Sequence, residues 1–256
     1  MSRKRLAGAL VLALATTTLG SSAHAAEEGA SLLQRAWPHE GVFGAFDRAA
    51  AQRGFQVYRE ICAGCHGLQY MAFRNLLDLG FEEDEVRALA SEYSVTDGPD
   101  EEGEMFERPA KLSDPWPSPY PNDNAARAAN GGALPPELSL ITKARFDGSN
   151  YLYSLLVCYE EPPADAEGPE GTYYNAFFPG HWIAMPQPLD DDYVEYTDGT
   201  QASLEQTASD VSTFLTWIAE PTLETRKRTG LKVVLFLIVL TALLYATKRK
   251  IWADVH

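Results

Sequence analysis

The sequence predicts a mainly α-helical domain joined to one C-terminal membrane-spanning helix. Two segments, 47–61 and 203–221, combine helix-capping residues with apolar residues at helical spacing. A third segment, residues 230–247, is almost wholly apolar. With 256 residues, of which 45% are hydrophobic and 22% charged, the chain suits one domain with insertions and is neither disordered nor wholly membrane-embedded.

The N-terminus has the features of a cleaved secretory signal peptide. Three basic residues at positions 3–5 precede an apolar run over 6–19, and the small-residue site Ala23-His24-Ala25 follows. The apolar run is too short for an uncleaved anchor helix. We therefore predict that residues 1–25 are removed and that the mature chain begins at Ala26.

The first predicted helix starts after Asp47, whose carboxylate can cap it, and runs towards Ile61. Phe55 and Tyr58 lie three positions apart and share one face. Gly54, beside them, allows the backbone of another helix to approach closely. The expected partner is the second predicted helix.

The second predicted helix begins with a capping box, Ser203-Leu-Glu-Gln206, and ends before Pro221. Its apolar residues follow the i, i+3, i+4, i+7 spacing of a buried helical face. They are Val211, Phe214, Leu215 and Ile218.

The chemistry-bearing motif is Cys62-Ala-Gly-Cys65-His66, the attachment pattern of c-type haem. Each thiol can form a thioether to one vinyl group, and the adjacent histidine can bind the iron. A zinc site would need two further ligands, and there is no second C-x-x-C pair. A thioredoxin-like redox motif would not require the histidine. Two terminal helices crossing beside a haem predict the class I c-type cytochrome fold, here with large irregular insertions.

A second axial ligand would make the site an electron carrier, and methionine in that role raises the reduction potential. Met71 follows His66 too closely to reach the opposite face of the ring, and Met105 lies in an acidic loop. Met185 lies in a proline-stiffened segment and is the predicted ligand. His181 is the competing candidate.

The charge is strongly acidic and unevenly distributed. Residues 26–225 hold 35 acidic and 11 basic residues, a formal charge of −24, although the whole chain carries −15. This excludes nucleic acid as a partner and favours a basic electron-transfer protein. Part of the acidic sequence falls in residues 94–124, which are rich in proline and glycine and are predicted to form an irregular inserted lobe.

We predict a membrane anchor at residues 229–248, because the apolar run is long enough to span a bilayer and basic triplets flank it. The triplets carry equal numbers of bases, so the signal peptide decides the orientation. Residues 26–228 would form an exported haem domain and residues 249–256 a cytoplasmic tail. In a bacterial cell the haem domain would lie on the periplasmic side of the inner membrane.

Three blocks in this order, followed by the anchor, resemble the cytochrome c1 family. They are Gly54-Phe-Gln-Val-Tyr-Arg-Glu-Ile-Cys-Ala-Gly-Cys-His66, Tyr120-Pro-Asn with Ala125–Ser139, and Ile183-Ala-Met-Pro-Gln-Pro-Leu189. The resemblance extends from about Trp37 to the C-terminal anchor. It implies His66 and Met185 as the axial ligands of one covalent haem c. It also implies that Arg145 pairs with a haem propionate and that Pro136 and Tyr151 pack on the haem.

The family is the haem subunit of the quinol–cytochrome c reductase. The resemblance implies one-electron transfer from the Rieske iron–sulfur protein to a soluble or tethered c-type cytochrome, in a respiratory or photosynthetic chain. Cytochrome b would be the other partner, and this chain itself would carry out no substrate chemistry. Some bacterial members have an internal disulfide, whereas here Cys158 has no partner once the haem thiols are used.

Two other classes of function remain open from the residues alone. One is a membrane-anchored shuttle cytochrome that works without partner subunits. The other is a haem enzyme or gas sensor whose iron has an open face and therefore lacks the methionine ligand.

Overall fold

The computed structural model describes residues 31–255, so the predicted signal peptide lies outside the described residues. The described chain is mainly helical. Its α-helices are α1 Arg48–Val57, α2 Glu83–Ser91, α3 Asp123–Ala129, α4 Ile141–Ala144, α5 Gly148–Val157, α6 Leu204–Ala219 and α7 Leu223–Ile251. Short 3-10 segments span Phe73–Leu79 and Ala253–Val255, and two antiparallel hairpins pair β1 Ser94–Asp97 with β2 Phe106–Pro109 and β3 Tyr173–Tyr174 with β4 Trp182–Ile183.

Helix α1 begins as the sequence predicts, because the Asp47 carboxylate accepts a hydrogen bond from the amide of Ala50 at 3.1 Å. It does not continue as an α-helix to Ile61. The chain widens into a π-helical turn over Tyr58–Cys62, in which the Ala63 amide bonds the Tyr58 carbonyl at 2.8 Å. This turn leads directly into the Cys62–His66 motif.

Helices α1 and α6 cross at Gly54, as the sequence predicts. A Cβ atom at Gly54 would lie 2.0 Å from the Asp210 carbonyl oxygen and 2.7 Å from Phe214 Cβ. The close approach lets the Phe55 and Tyr58 rings pack on Phe214, with centroid separations of 5.6 and 5.9 Å. Both aromatic side chains are buried, so they form part of the main core.

Helix α6 is the central helix of the domain and packs against α1, α4 and α5. Three residues of its predicted apolar face are buried and Ile218 is half-buried, and the burial extends around most of the helix. Threonine hydroxyls are tolerated inside because they bond carbonyls one turn earlier; Thr213 reaches Ser209 at 3.0 Å and Thr216 reaches Ser212 at 2.7 Å. A helix that is buried on most sides must satisfy the hydrogen bonds of its polar side chains internally, and these bonds do so for both threonines.

Only half of the predicted capping box at the start of α6 forms. The Ser203 hydroxyl accepts from the Gln206 amide at 3.3 Å. The Gln206 side chain does not return to the start of the helix. Its amide nitrogen donates to Asp210 Oδ1 at 3.0 Å, because Asp210 is buried and needs donors.

The inserted lobe at 94–124 is more regular than predicted. Strands β1 and β2 form an antiparallel hairpin within it, and α3 begins at its end. Trp116 attaches the lobe to the core: its amide bonds the Met71 carbonyl at 2.7 Å, and its ring packs 5.6 Å from Phe55. The sequence did not predict this hairpin, because strands that pair across an acidic loop leave no local sequence pattern.

Helix α7 is long and apolar enough to cross a membrane, and its most apolar part is not buried against the rest of the described chain. It starts before the predicted span, at Leu223, and continues unbroken through the basic triplet 226–228. Glu220 in the short link to α6 pairs with Lys143 at 2.6 Å and with Arg226 at 3.1 Å. These contacts join the first turn of α7 to α4 and to the end of α6.

Candidate haem site

The Cys62–His66 motif is a compact turn directly after α1. The Cys62 carbonyl accepts from the amides of Cys65 at 3.1 Å and His66 at 2.9 Å. Tyr58 fixes the end of the turn, since its hydroxyl donates to the His66 carbonyl at 2.8 Å. The two cysteines and the histidine are therefore displayed from one turn.

The thiols differ in their surroundings. Cys65 is exposed, whereas burial raises the pKa of Cys62 to about 12, with a smaller contribution from Cys65. All three cysteines of the chain are unpaired, so Cys62 and Cys65 are not joined in a disulfide. Each retains a sulfur that can form a thioether.

The His66 ring is held by a residue 70 positions away. Its Nδ1 lies 2.7 Å from the Pro136 carbonyl oxygen, which can only accept, so Nδ1 carries the proton. The lone pair is then on Nε2, the nitrogen that can bind a metal. Burial lowers the pKa of His66, which favours this neutral, ligating form, although the Pro136 contact opposes the shift.

Residues 136–159 contact both the Cys62–His66 motif and Met185. At one end, the Leu138 amide bonds the Gly67 carbonyl at 3.0 Å, next to the Pro136–His66 contact. At the other end, the Tyr159 hydroxyl donates to the Met185 carbonyl at 3.1 Å. The intervening helix α5 packs against the central helix α6.

Met185 is half-buried and packs against the core, immediately after strand β4. The segment before it is fixed by Asn175, whose side-chain amide donates to the Leu155 carbonyl of α5 at 2.8 Å. The two methionines set aside as ligands lie elsewhere in the domain: Met71 is buried in the core and Met105 is 60% exposed.

His181, the competing ligand, has a structural part in the β3–β4 turn. Its φ of 64° is left-handed, its Nδ1 lies 3.1 Å from the Ala176 carbonyl oxygen, and its ring stacks on Tyr174 at 5.7 Å. These contacts close the turn that precedes Met185.

Arg145, predicted to pair with a haem propionate, and Tyr151, predicted to pack on the haem, lie next to each other. The Arg145 guanidinium is 5.9 Å from the centroid of the Tyr151 ring, and the arginine is exposed while the tyrosine is buried. No carboxylate of residues 31–255 forms an ion pair with Arg145. Its charge is therefore available to a carboxylate such as a propionate.

The structure adds Tyr120 and Asn130, which the sequence did not single out as site residues. The Tyr120 hydroxyl lies 3.9 Å from Cys65 Sγ and accepts from the Asn130 side chain at 3.1 Å. Both belong to the second block of the resemblance, but nothing local distinguished them from their neighbours. Cys158, half-buried at the end of α5, forms no disulfide within the described residues.

The donor set fits a haem c. Two unpaired thiols and an imidazole oriented through its second nitrogen are groups that can hold such a cofactor, and a half-buried thioether is a possible further ligand. The model of the Cytochrome C1 family matches residues 37–255. The chain belongs to the cytochrome c1 family.

Relatives with this name agree over most of the chain. It is 49% identical to "Cytochrome c1" of Rhodospirillum rubrum, over 96% of this chain and 97% of that protein. It is 52% identical to "Cytochrome c1, heme protein, mitochondrial" of Saccharomyces cerevisiae, over 90% of this chain and 75% of the relative. It is also 51% identical to "Cytochrome b/c1" of Bradyrhizobium diazoefficiens, over 86% of this chain but only 35% of that longer protein.

Cytochrome c1 is the haem-containing electron-transfer subunit of the cytochrome bc1 complex. Family membership therefore accounts for a mainly helical domain with an apolar C-terminal helix suited to membrane anchoring. It also implies haem c as the cofactor of the Cys62–His66 motif.

Proposed function

We propose that this cytochrome c1 holds one haem c through thioether bonds to Cys62 and Cys65, with His66 and Met185 as its axial ligands. A haem c bound in this way supplies a one-electron couple. The observation that carries the assignment is the contact of His66 Nδ1 with the Pro136 carbonyl, which leaves Nε2 as the metal-binding nitrogen. Pro136, Arg145 and Tyr151 line the site in this proposal.

The chain's own residues would restrict the site to electron exchange. His66 and Met185 would both bind the iron, and the haem they hold would exchange electrons rather than bind a substrate or gas. Arg145 balances the charge of a propionate, because a guanidinium is a suitable partner for a carboxylate that leaves bulk water. Outer-sphere electron transfer needs no general acid or base from the chain.

We infer that the electron comes from the Rieske iron–sulfur protein and leaves to a basic c-type cytochrome. The formal charge of −24 on residues 26–225 supports a basic acceptor. The relative named "Cytochrome b/c1" supports cytochrome b as a neighbouring subunit. Helix α7 offers the surface through which a membrane subunit can pack.

The proposed location is the inner membrane of a bacterium, with residues 26–228 in the periplasm and 249–256 in the cytoplasm. The signal-like segment at 1–25 and the apolar helix near the C-terminus support this arrangement. Residues 229–248 would form the membrane span.

A Met185→Leu variant tests the ligand assignment. Loss of the thioether should lower the reduction potential by roughly 0.1 V or more, within the span of about 0.8 V that axial ligands cover. It should also allow the reduced protein to bind carbon monoxide. A potentiometric titration and a carbon monoxide difference spectrum measure the two effects.

Met105→Leu is the matched control, because Met105 is exposed and distant in sequence from the motif. It should leave both properties unchanged. If Met185→Leu kept the wild-type potential and stayed inert to carbon monoxide, Met185 would not be the ligand. His181→Asn would then be the informative variant.

A further inference from the structure

The loop at residues 39–44 presents an apolar tip to the outside of the domain. Val42 is 68% exposed and Phe43 is 83% exposed. Single exposed apolar residues are common on protein surfaces, but two large adjacent ones at the tip of a loop are a typical contact feature.

This loop, here the 39–44 loop, is closed and supported at its base. The Ala45 amide bonds the Pro38 carbonyl at 3.0 Å, so the chain leaves and re-enters the domain at one point. At the base, the buried rings of His39 and Phe46 stack with their centroids 5.1 Å apart. The tip is therefore carried on a fixed support.

The support is attached to the start of the anchor helix α7. Lys227 Nζ donates to the His39 carbonyl at 2.6 Å and to the Gly44 carbonyl at 3.3 Å. One turn earlier, Glu224 accepts from the Phe46 amide at 2.9 Å. Both ends of the 39–44 loop are thus held by residues of α7.

The attachment places the tip near the level where the apolar part of α7 begins. Leu231 follows Lys227 by four residues, which is about 6 Å along a helix. The polar layer of a bilayer is about 5–8 Å thick on each side of the hydrocarbon. Where α7 spans a bilayer from Leu231 onward, Lys227 and the loop that it holds would therefore fall within the headgroup layer.

We propose that the 39–44 loop inserts Val42 and Phe43 into the lipid interface beside α7, as a second membrane contact of the haem domain. Arg226 and Arg228 lie at the same level and pair with Glu220 and Glu224, but both side chains stay exposed and can also attract anionic headgroups. Aromatic residues are favoured at this depth. With α7 and the loop both in the membrane, the domain would be fixed in orientation. This inference rests on the membrane anchoring proposed above.

Nitroxide accessibility of the full-length haem protein tests the contact. Labels are placed at Val42→Cys or Phe43→Cys in a Cys158→Ser background, in vesicles of phosphatidylcholine and phosphatidylglycerol. Oxygen concentrates in lipid and a nickel chelate stays in water. We expect the oxygen-to-nickel accessibility ratio at both positions to exceed that at Phe146→Cys, which is an aqueous control at a side chain 87% exposed.

A label at Leu235→Cys in α7 gives the lipid reference and tests the anchor separately. If Leu235 is lipid-accessible but the loop labels behave like Phe146, the loop lies in water and the inference is wrong. Exclusion of both reagents from the loop would show burial against protein and would also overturn it. A water-accessible Leu235 would instead overturn the anchoring on which the inference depends.

Discussion

Gly54 is the residue on which the crossing of α1 and α6 depends. Substitution by alanine would place Cβ within 2.0 Å of the Asp210 carbonyl oxygen, which is backbone and cannot move independently. We expect Gly54→Ala to cost about 1–3 kcal/mol of unfolding free energy, as overpacking does. Denaturant unfolding of the detergent-solubilised haem protein measures the loss.

Gly230→Ala is the control for this change. Gly230 also lies in a helix, but a Cβ there would meet nothing within 4 Å. It should leave the stability of the haem domain unchanged. Equal effects of the two substitutions would show that helix propensity, and not the crossing, explains the result.

His39 is the second residue whose chemistry predicts a measurable effect. It is buried between Trp37 and Phe46, and its Nε2 lies 3.2 Å from the Ser149 hydroxyl. Burial, and to a smaller extent the charge of Lys227, lowers the pKa of His39 from 6.5 to about 4. The folded state therefore holds this imidazole neutral.

The lowered pKa predicts a loss of stability in acid. Between pH 6.5 and about 4 the unfolded chain binds a proton at His39 that the folded chain does not, so stability is present above this window and falls through it. The contribution is about 3 kcal/mol at most, from 1.36 kcal/mol per pKa unit. His39→Gln should flatten the pH dependence of the unfolding free energy, and parallel curves for variant and wild type would contradict the assignment.

At the scale of the elements, the ion pair between Arg53 of α1 and Asp210 of α6 links the two crossing helices. The guanidinium makes two contacts with the Asp210 carboxylate, at 2.8 and 3.0 Å, and one with Asp198 at 2.9 Å. The Arg53 and Asp210 side chains are only 16% and 1% exposed. Such a pair is costly to break because the remaining charge stays buried.

We expect Arg53→Met to destabilise the protein by about 3–5 kcal/mol, since it leaves the Asp210 carboxylate without its cation. Arg87→Ala is the matched control, because it breaks an exposed i,i+4 pair with Glu83 in α2. That change should cost less than about 1 kcal/mol. Similar small losses for both variants would show that the Arg53–Asp210 pair adds little to the crossing.

At the scale of the whole molecule, the acidic charge predicts how the protein meets its acceptor. A formal charge of −24 on residues 26–225 should steer a basic c-type cytochrome and raise its association rate about 10–10³-fold at low ionic strength. The second-order rate of electron transfer, followed by stopped-flow absorbance, should therefore fall steeply as salt is added.

Hexacyanoferrate is the control oxidant for this measurement because it is an anion. Its rate should rise with salt as repulsion is screened. A rate with the basic cytochrome that does not depend on salt would show that the acidic surface is not used for encounter.

Features whose chemistry lies within one segment were predictable from the amino-acid sequence alone. The Cys62–His66 spacing, the Asp47 cap and the apolar run of α7 each lie within one segment, so they could be interpreted from neighbouring residues. Gly54 was also predictable, because an aromatic face beside a glycine indicates close helix packing. Recognition of the family followed from the order of such segments.

The distant groups that complete each feature became visible only in the folded chain. The carbonyl that orients His66 comes from Pro136, 70 residues later, and Lys227 supports a loop 188 residues earlier. A backbone carbonyl has no sequence signature, and a hydrogen bond between remote segments depends on the packing of every helix between them. The second half of the Ser203 capping box was predicted but does not form, and tertiary packing is again the reason. Buried Asp210 attracts the Gln206 side chain more strongly than the helix start does.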